Sequence, residues 1–456
     1  MAKRTKRWKR GLIATALIVV GLAAFWLPTR GPVVSGYVAK NLCSCVFLSG
    51  RAPEEVRAAD LDFSLLPLAG VEIDYEQKTV NSSLFGFGKQ TAVYRPGLGC
   101  TLLAGLAADE LARQPLPEYS AAPGADSVYW PLGDRLPDTL PAGVDREALE
   151  SALAAAFQTV DPARISARGV VVLYRGQIVA ERYAEGFDKD TPQLGWSMTK
   201  SITNALTGIL VRDGLLDPAA PAPVAAWQND DRRKITVSDL LHMSSGLDWW
   251  EFYAELSDAT RMLYKREDMA AYARQQPLDT EPGTEWYYSS GTSNILSGII
   301  RETIGDQQRY FEFPRRALFD PVGMRSAVIE PDAAGNFVGS SYAFATPRDW
   351  ARFGQLYLQD GVWNGERILP EGWVAYSTTP APASDGRYGA HFWLNASGQL
   401  PDVPRDMFLC DGFQDQKVYI VPSHEAVVVR MGLTADEEFS FNDWLASVLA
   451  ALPARE

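Results

Sequence analysis

The 456-residue sequence predicts an α+β fold, because strand patterns near both ends of its main domain are separated by a long helical region. We expect the terminal strands to pair in space as one antiparallel sheet with helices packed around it. The strand segments are Val170–Tyr174, Gln177–Tyr183, Lys417–Val421 and Ala426–Met431. Helical patterns run from Ser197 to about Tyr272 and again over residues 294–303.

The composition excludes several classes of protein. With 46% hydrophobic and 11% aromatic residues, the chain is too apolar to be disordered as a whole. The formal charge of −13 argues against nucleic-acid binding, which normally requires a basic face. Three histidines and four cysteines leave little material for a zinc or iron site, so we expect chemistry without a metal or cofactor.

The first 29 residues carry a membrane signal. Six basic residues lie among residues 1–10, and an uncharged run extends from Gly11 to Thr29 before Arg30 closes it. A run of this length just spans the bilayer as a transmembrane helix, with the basic tail on the cytoplasmic side. A cleaved signal peptide is the alternative, although Phe25–Pro28 does not resemble a small-residue cleavage site. In either case we expect the rest of the chain to face an oxidising space, the periplasm.

A small strand-rich module and a linker are predicted over residues 30–141. Short strands are expected between about residues 35 and 111, notably Val71–Tyr75 and Gln90–Tyr94. A Pro- and Ala-rich connector, roughly Gln114 to Pro141, then leads to the main domain.

Three of the four cysteines lie in the N-terminal part of the chain. A bond from Cys43 or Cys45 to Cys100 would suit an oxidising compartment and tie the N-terminal segment down. Buried free thiols are the equal alternative, because pairing cannot be deduced from sequence alone.

The main domain is predicted to cover residues 142–456. It opens with a helix over Asp145–Phe157, for which Asp145 is the expected N-cap, and it ends with an amphipathic helix over Asn442–Leu452.

The best candidate nucleophile is Ser197. Ser197-Met198-Thr199-Lys200 is the only Ser-x-x-Lys sequence in the chain, and it opens an apolar helix just after the first hairpin. Residues three apart lie on one face of a helix, so the Lys200 amine can reach the Ser197 hydroxyl. A serine in the first helical turn also places a developing oxyanion near backbone N–H groups that lack helical partners.

Three further segments make a resemblance specific. They are Ile235–Leu247, the Pro282–Ser290 segment that contains Tyr288-Ser289-Ser290, and Cys410-Asp411-Gly412 before the last strand pair. Together with Ser197–Lys200, they resemble the serine β-lactamase and penicillin-binding-protein superfamily, in its class C-related esterase and amidase branch. The resemblance covers about Asp145 to the C-terminus. It implies the β-lactamase/transpeptidase-like fold, an antiparallel sheet flanked by helices with a helical subdomain.

The resemblance also implies roles for individual residues. Ser197 would be the nucleophile, with Lys200 and Tyr288 as an acid–base pair. The backbone N–H groups of Ser197 and Phe413 would form the oxyanion hole. A lysine ammonium beside a phenol is expected to lower the pKa of both groups.

Departures from the family pattern concern the substrate. Ser290 stands where the second motif ends in Asn, and Cys410 and Asp411 replace the basic start of the third motif before Gly412. An acidic residue would repel the carboxylate of penicillins and D-alanyl-D-alanine peptides. This favours the branch that resembles 6-aminohexanoate-dimer hydrolases and family VIII-type carboxylesterases. Trp249 and Trp250 are candidates for the mouth of the substrate site.

These observations predict a membrane-anchored serine hydrolase that cleaves an ester or amide bond of a small molecule through an acyl-enzyme on Ser197. A β-lactamase or DD-peptidase is the alternative within enzymes. An acyl-binding sensor or scaffold, in which Ser197 is acylated but never released, is the alternative from another class. Stoichiometric labelling without turnover would distinguish it.

Overall fold

A computed structural model describes residues 27–119, 126–158, 165–253, 256–434 and 439–454. The strands are β1 (Ala69–Asp74), β2 (Thr79–Leu84), β3 (Phe87–Arg95), β4 (Gly99–Leu102), β5 (Ile165–Tyr174), β6 (Gln177–Tyr183), β7 (Gln193–Leu194), β8 (Val328–Ile329), β9 (Ala343–Ala345), β10 (Val362–Trp363), β11 (Glu366–Arg367), β12 (Trp393–Leu394), β13 (Phe408–Gly412), β14 (Gln416–Val421) and β15 (Ala426–Thr434).

Helices connect and flank these strands. They are α1 (27–47), α2 (Pro53–Ala59), α3 (Ala108–Ala112), α4 (Arg146–Ala156), α5 (Thr199–Arg212), α6 (Val237–Leu241), α7 (Asp258–Lys265), α8 (Met269–Arg274), α9 (Ser290–Ile304), α10 (Gln307–Pro314), α11 (Asp320–Val322), α12 (Pro347–Leu358), α13 (Trp373–Ser377) and α14 (Phe441–Ala450).

The central sheet joins the two ends of the main domain. Its six strands lie in the order β12-β13-β14-β15-β5-β6, and β15 pairs with β5 in antiparallel register over its whole length. Both predicted hairpins form, β5 with β6 and β14 with β15. The prediction that the terminal segments of an α+β domain pair in space is therefore confirmed.

Both faces of this sheet are buried at its centre, which explains why the central strands β5, β14 and β15 are mainly apolar. Along β15, Val427 and Val429 belong to the core that contains α5 and α12, while Ala426 and Val428 belong to the core beneath α4 and α14. Successive side chains of a strand point to opposite faces, so a strand covered on both sides must be apolar throughout. The Asp145 side chain accepts a hydrogen bond from the Ala148 N–H, as the predicted N-cap of α4 requires.

The N-terminal module contains more helix than the sequence indicates. Residues 27–47 form α1, where strands were expected to begin at about Ser35, and that expectation is wrong. The valines of this segment favour strand locally and its glycines disfavour helix, but burial of Val38, Ala39 and Leu42 against other parts of the chain stabilises the helix. The strands predicted at 71–75 and 90–94 are confirmed as β1 and β3 of a four-stranded antiparallel sheet.

A covalent bond and a buried ion pair fasten α1. Cys43 is bonded to Cys100 at the start of β4, so one of the alternatives from the sequence is selected; Cys45 is a buried free thiol. The Lys40 ammonium pairs with the carboxylate of Glu330, and both side chains are almost fully buried. The Cys100 N–H, 2.5 Å from Oε1 of Glu330, donates to the same carboxylate. Glu330 follows β8 in the main domain, so it joins the module to that domain.

The predicted membrane-spanning segment, Gly11 to Thr29, lies almost entirely outside the described residues. Within the part of the chain that the structure does describe, no helix is both long enough and apolar enough to cross a bilayer.

Candidate active site

Ser197 lies in a tight turn at the start of α5. The turn, Trp196–Met198, is a 3₁₀ helix, and Trp196 has a φ of +48°, an unfavourable backbone conformation for a bulky residue. The Thr199 hydroxyl holds the turn by donating to the Trp196 carbonyl at 2.6 Å and accepting from the Ala343 N–H at 2.9 Å. Ser197 is thus presented, half-buried, at the edge of the site.

Lys200 is buried directly beside Ser197. Its Nζ lies 3.0 Å from the Ser197 hydroxyl oxygen, 3.1 Å from the Ser290 hydroxyl oxygen and 3.0 Å from the Ser340 carbonyl oxygen. The predicted reach across three residues is therefore present in the structure. Three oxygen atoms fix the amine in position, and its side chain is only 1% exposed.

Burial gives Lys200 the character of a base. Removal from water lowers the pKa of this amine from 10.5 to about 8, while the negative charge of Glu251 acts in the opposite direction. About a tenth of Lys200 is then unprotonated at pH 7, far more than of a solvated lysine, and this form can accept a proton from a serine.

Tyr288 lies beside Lys200. The Lys200 Nζ lies 4.7 Å from the centroid of its ring, which packs between Tyr388 and Trp393. Burial raises the pKa of Tyr288 well above 10, and the negative charges of Glu251 and Asp411 act in the same direction, while the nearby Ser197 hydroxyl acts to lower it. The expectation that this phenol would have a lowered pKa is wrong, because loss of solvation and two carboxylates both favour the neutral phenol. Tyr288 is therefore a protonated phenol at neutral pH.

Glu251 belongs to the site and was not singled out from the sequence. It lies in the loop between α6 and α7, and its carboxylate accepts hydrogen bonds from the Ser290 hydroxyl at 2.6 Å and from the Ser290 N–H at 2.9 Å. The phenol of Tyr253 also donates to it. A carboxylate between Trp250 and Phe252, in a segment expected to border the site, was the one available signal. Nothing local distinguishes it from a solvated loop residue.

Ser290, the departure from the second motif, lies inside the protein. It is fully buried at the start of α9, where its hydroxyl accepts from Lys200 and donates to Glu251. Ser290 therefore links the amine to the carboxylate.

The third motif lies at the end of β13, next to the nucleophile turn. A Cβ atom added to Gly412 would lie 2.2 Å from the Gly195 carbonyl oxygen, so only glycine allows the strand to approach this closely. The next residue, Phe413, packs its ring edge-on against Trp196 with centroids 5.6 Å apart. This arrangement brings the backbone of Phe413 beside that of Ser197.

The two unusual residues of this motif have partners inside the protein. The Cys410 thiol is 1% exposed, and burial raises its pKa to about 12. The Asp411 carboxylate accepts from Lys417 at 2.7 Å. The negative charge that was expected to face the substrate is thus balanced in part by a lysine on the neighbouring strand β14.

The adjacent tryptophans of the loop lie in different environments. Trp249 is 6% exposed, and its indole N–H donates to Glu251 at 2.5 Å. Trp250 is 47% exposed and stacks on Phe252. Trp249 therefore holds the Glu251 carboxylate through this hydrogen bond, and of the two tryptophans only Trp250 presents a ring to solvent.

Among the described residues, no cluster of three or more His, Cys, Asp or Glu side chains could hold a metal ion.

A serine in a tight turn, a lysine three residues later and a tyrosine from a second segment lie together, as the Ser-x-x-Lys motif predicts. The sequence matches the family described as Beta-lactamase over residues 153–451. This protein belongs to the Beta-lactamase family.

Comparison with individual proteins adds detail. The chain is 25% identical over 297 residues to the 6-aminohexanoate-dimer hydrolase of Paenarthrobacter ureafaciens, which covers 59% of this chain and 73% of that protein. A Bacillus anthracis structure assigned as a 6-aminohexanoate-dimer hydrolase has a TM-score of 0.57 and 21% identity, covering 74% of this chain and 92% of that one. A family VIII carboxylesterase has a TM-score of 0.51 and 17% identity, covering 67% and 96%. The structural likenesses establish the shared fold.

Proposed function

We propose that this protein is a serine hydrolase that cleaves an ester or amide bond through an acyl-enzyme on Ser197. The observation that carries the proposal is the 3.0 Å contact between the Ser197 hydroxyl and the Lys200 amine, whose pKa burial lowers to about 8. A buried amine in this state accepts a proton that a solvated lysine could not accept at neutral pH.

Acylation begins when unprotonated Lys200 accepts the Ser197 proton and the serine oxygen attacks the substrate carbonyl carbon. The N–H groups of Ser197 and Phe413 stabilise the resulting oxyanion. Collapse of the tetrahedral intermediate breaks the bond to the leaving group. The Tyr288 phenol donates a proton to that group and is reprotonated by the Lys200 ammonium.

Deacylation repeats these steps with water as the nucleophile. Water loses a proton to the Lys200–Tyr288 pair and attacks the ester carbonyl of acyl-Ser197. The acid product leaves, and Ser197 recovers its proton. Atoms and charges balance with water as the only co-substrate.

The third motif favours esters and amides without a carboxylate beside the scissile bond. The buried Cys410 thiol supplies no positive charge at the position where β-lactam-recognising relatives carry a basic residue. Lys417, the nearby cation, lies 2.7 Å from Asp411 and 2.9 Å from Asp415, so its charge is already engaged. We therefore expect turnover of a small neutral ester to exceed turnover of a penicillin or of a D-alanyl-D-alanine peptide.

The test combines kinetics with intact-mass measurement of full-length protein and its Ser197→Ala variant. Sustained release of p-nitrophenol from p-nitrophenyl butyrate, lost in the variant, would support the hydrolase. A single burst with a lasting mass adduct would favour the acyl-binding sensor. Equal turnover in both proteins would contradict the assignment of Ser197. Nitrocefin in the same assay tests the β-lactamase alternative, which predicts fast turnover.

We also propose that the protein is anchored in a membrane by residues 11–29, with its catalytic domain on the periplasmic side. The Cys43–Cys100 bond supports an oxidising location. Fractionation with a protease-accessibility assay tests this. Protection of the domain in intact spheroplasts would contradict it.

A further inference from the structure

A cavity of about 470 Å³ opens beside Ser197, between the N-terminal module and the catalytic domain. Its size lies in the range of ordinary ligand-binding pockets. Ser197 and Glu251 belong to its wall, so the cavity is continuous with the catalytic site. The rest of the wall is mainly aliphatic and aromatic.

The N-terminal module supplies one whole side of this cavity. Val33, Val34 and Tyr37 lie on one face of α1, and Phe63 and Leu65 lie in the turn before β1. All of these residues precede residue 153, where the match to the Beta-lactamase family begins. This side of the cavity is therefore an addition of this chain to the family domain.

Aromatic contacts join the module to the catalytic domain around the cavity. The ring of Tyr37 lies 5.8 Å from that of Trp196 and 5.4 Å from that of Tyr264. Phe63 lies 6.4 Å from Phe413, the proposed oxyanion-hole residue. The apolar surface therefore begins at the nucleophile itself.

The cavity extends along α1 away from Ser197. The lining positions 30, 33, 34 and 37 share one helical face, and Arg30 is separated from Tyr37 by seven residues, about 10 Å along the axis. The buried Lys40–Glu330 pair and the Cys43–Cys100 bond fix α1 in place. This wall is preformed, so a chain that binds along it does not have to order it first.

We propose that this cavity binds the aliphatic acyl chain of the substrate, so that the preferred substrate is an ester or amide of a medium- or long-chain fatty acid. The inference rests on the proposed hydrolase function and specifies its substrate class. The chain passes from the acyl carbonyl at Ser197, along the Trp196 and Phe413 rings in the cavity wall, and onto the face of α1. Hydrolysis consumes water and releases the fatty acid and the alcohol or amine.

The first experiment measures kcat/KM of the full-length protein for p-nitrophenyl acetate, butyrate, hexanoate and octanoate, below their aggregation concentrations. Each methylene buried in the cavity should raise kcat/KM about fourfold until the cavity is full. A flat or falling series, with acetate turnover still dependent on Ser197, would overturn this inference alone. Absence of Ser197-dependent turnover for every ester and amide would instead overturn the proposed function.

The second experiment fills the cavity. Leu65→Trp places an indole in the cavity wall, whereas Leu68→Trp, three residues later, changes a side chain that is 52% exposed and outside the cavity. The ratio of kcat/KM for octanoate to that for acetate should fall at least tenfold in Leu65→Trp and stay unchanged in Leu68→Trp.

Val34→Trp fills the same cavity from α1 and guards against misfolding of the first variant. Thermal unfolding identifies any variant that does not fold. If Leu65→Trp and Val34→Trp both keep the wild-type ratio of kcat/KM for octanoate to that for acetate, the acyl chain lies elsewhere and the inference is wrong.

Discussion

The N-terminal module and the catalytic domain both border the active site, but they encode their contributions differently. The catalytic domain contributes Ser197, Lys200 and Tyr288 through short motifs that can be recognised in the sequence. The module contributes an apolar wall from α1 and the turn at Phe63, with no motif at all. Reactive groups require particular residue types at fixed spacing, whereas an apolar wall requires only shape and burial. Catalytic chemistry is therefore easier to read than substrate specificity.

The largest effect that would sharpen this contrast is expected at the nucleophile. Ser197→Ala should lower kcat/KM for p-nitrophenyl butyrate by about 10³-fold or more, because the hydroxyl that forms the acyl-enzyme is then missing. Thermal unfolding should be nearly unchanged, since the hydroxyl is half-buried and small. If the variant lost its folded structure together with its activity, the result would not identify Ser197 as the nucleophile.

The second largest effect is expected at the ion pair that connects the N-terminal module to the catalytic domain. Glu330→Gln leaves Lys40 as an uncompensated buried charge and should cost about 3–5 kcal/mol of unfolding free energy. Chemical denaturation provides the measurement. Lys40→Met combined with Glu330→Gln should recover part of the loss, since the unpaired charge is then gone.

An exposed ion pair serves as the control for this experiment. Arg113 and Asp109 also pair, with side chains that are 69% and 78% exposed, and Asp109→Asn should leave the denaturation midpoint unchanged. If Glu330→Gln and Asp109→Asn shifted the denaturation midpoint equally, the Lys40–Glu330 pair would not be what holds the module in place.

The disulfide should contribute somewhat less to the free energy of unfolding than the buried ion pair does. Cys43→Ser opens a covalent loop of 57 residues and should lower the unfolding free energy by about 2–4 kcal/mol. Reducing agent should lower the Tm of the wild-type protein and leave the Tm of the variant unchanged. Cys45→Ser, at a buried free thiol, should retain the response to reductant. Loss of that response in the Cys45 variant would contradict the pairing.

The smallest predicted effect concerns the pH dependence of the reaction. Because Lys200 has a lowered pKa of about 8, kcat/KM should rise with pH with a midpoint near that value as the amine loses its proton. The Glu251 charge raises the pKa of Lys200, so Glu251→Gln should move the midpoint to lower pH.

Asp248→Asn is the matched control for this shift, since Asp248 is an exposed acid three residues earlier in the same loop. Its pH profile of kcat/KM should match that of the wild-type protein. An identical midpoint in the Glu251 variant would mean that Lys200 is not the group that titrates.

Much of the fold could be predicted because it depends on local patterns. The strands of the central sheet, the N-cap at Asp145 and the terminal helix α14 follow from apolar periodicity and capping residues. Helix α1 could not be predicted, because its stability comes from burial of Val38 and Leu42 against distant segments.

The same division applies within the candidate site. The spacing of Ser197 and Lys200 already predicts their contact, since three residues along a helical turn fix the separation. The pKa of Tyr288 was expected to fall and instead rises, because burial and the negative charges of Glu251 and Asp411 all favour the neutral phenol. Burial is a property of the folded structure, and two or three adjacent residues of the sequence do not indicate it.

By itself, then, the sequence determined the candidate reactive groups, because they depend on residue type and short-range geometry. It also indicated the pairing of the terminal strands, through the order of strand and helix patterns along the chain. Tertiary structure decided the bond between Cys43 and Cys100, the position of Glu251 beside Ser290 and the apolar cavity along α1. Each of these depends on segments far apart in the chain that meet only when the core is packed, so no local pattern could specify them.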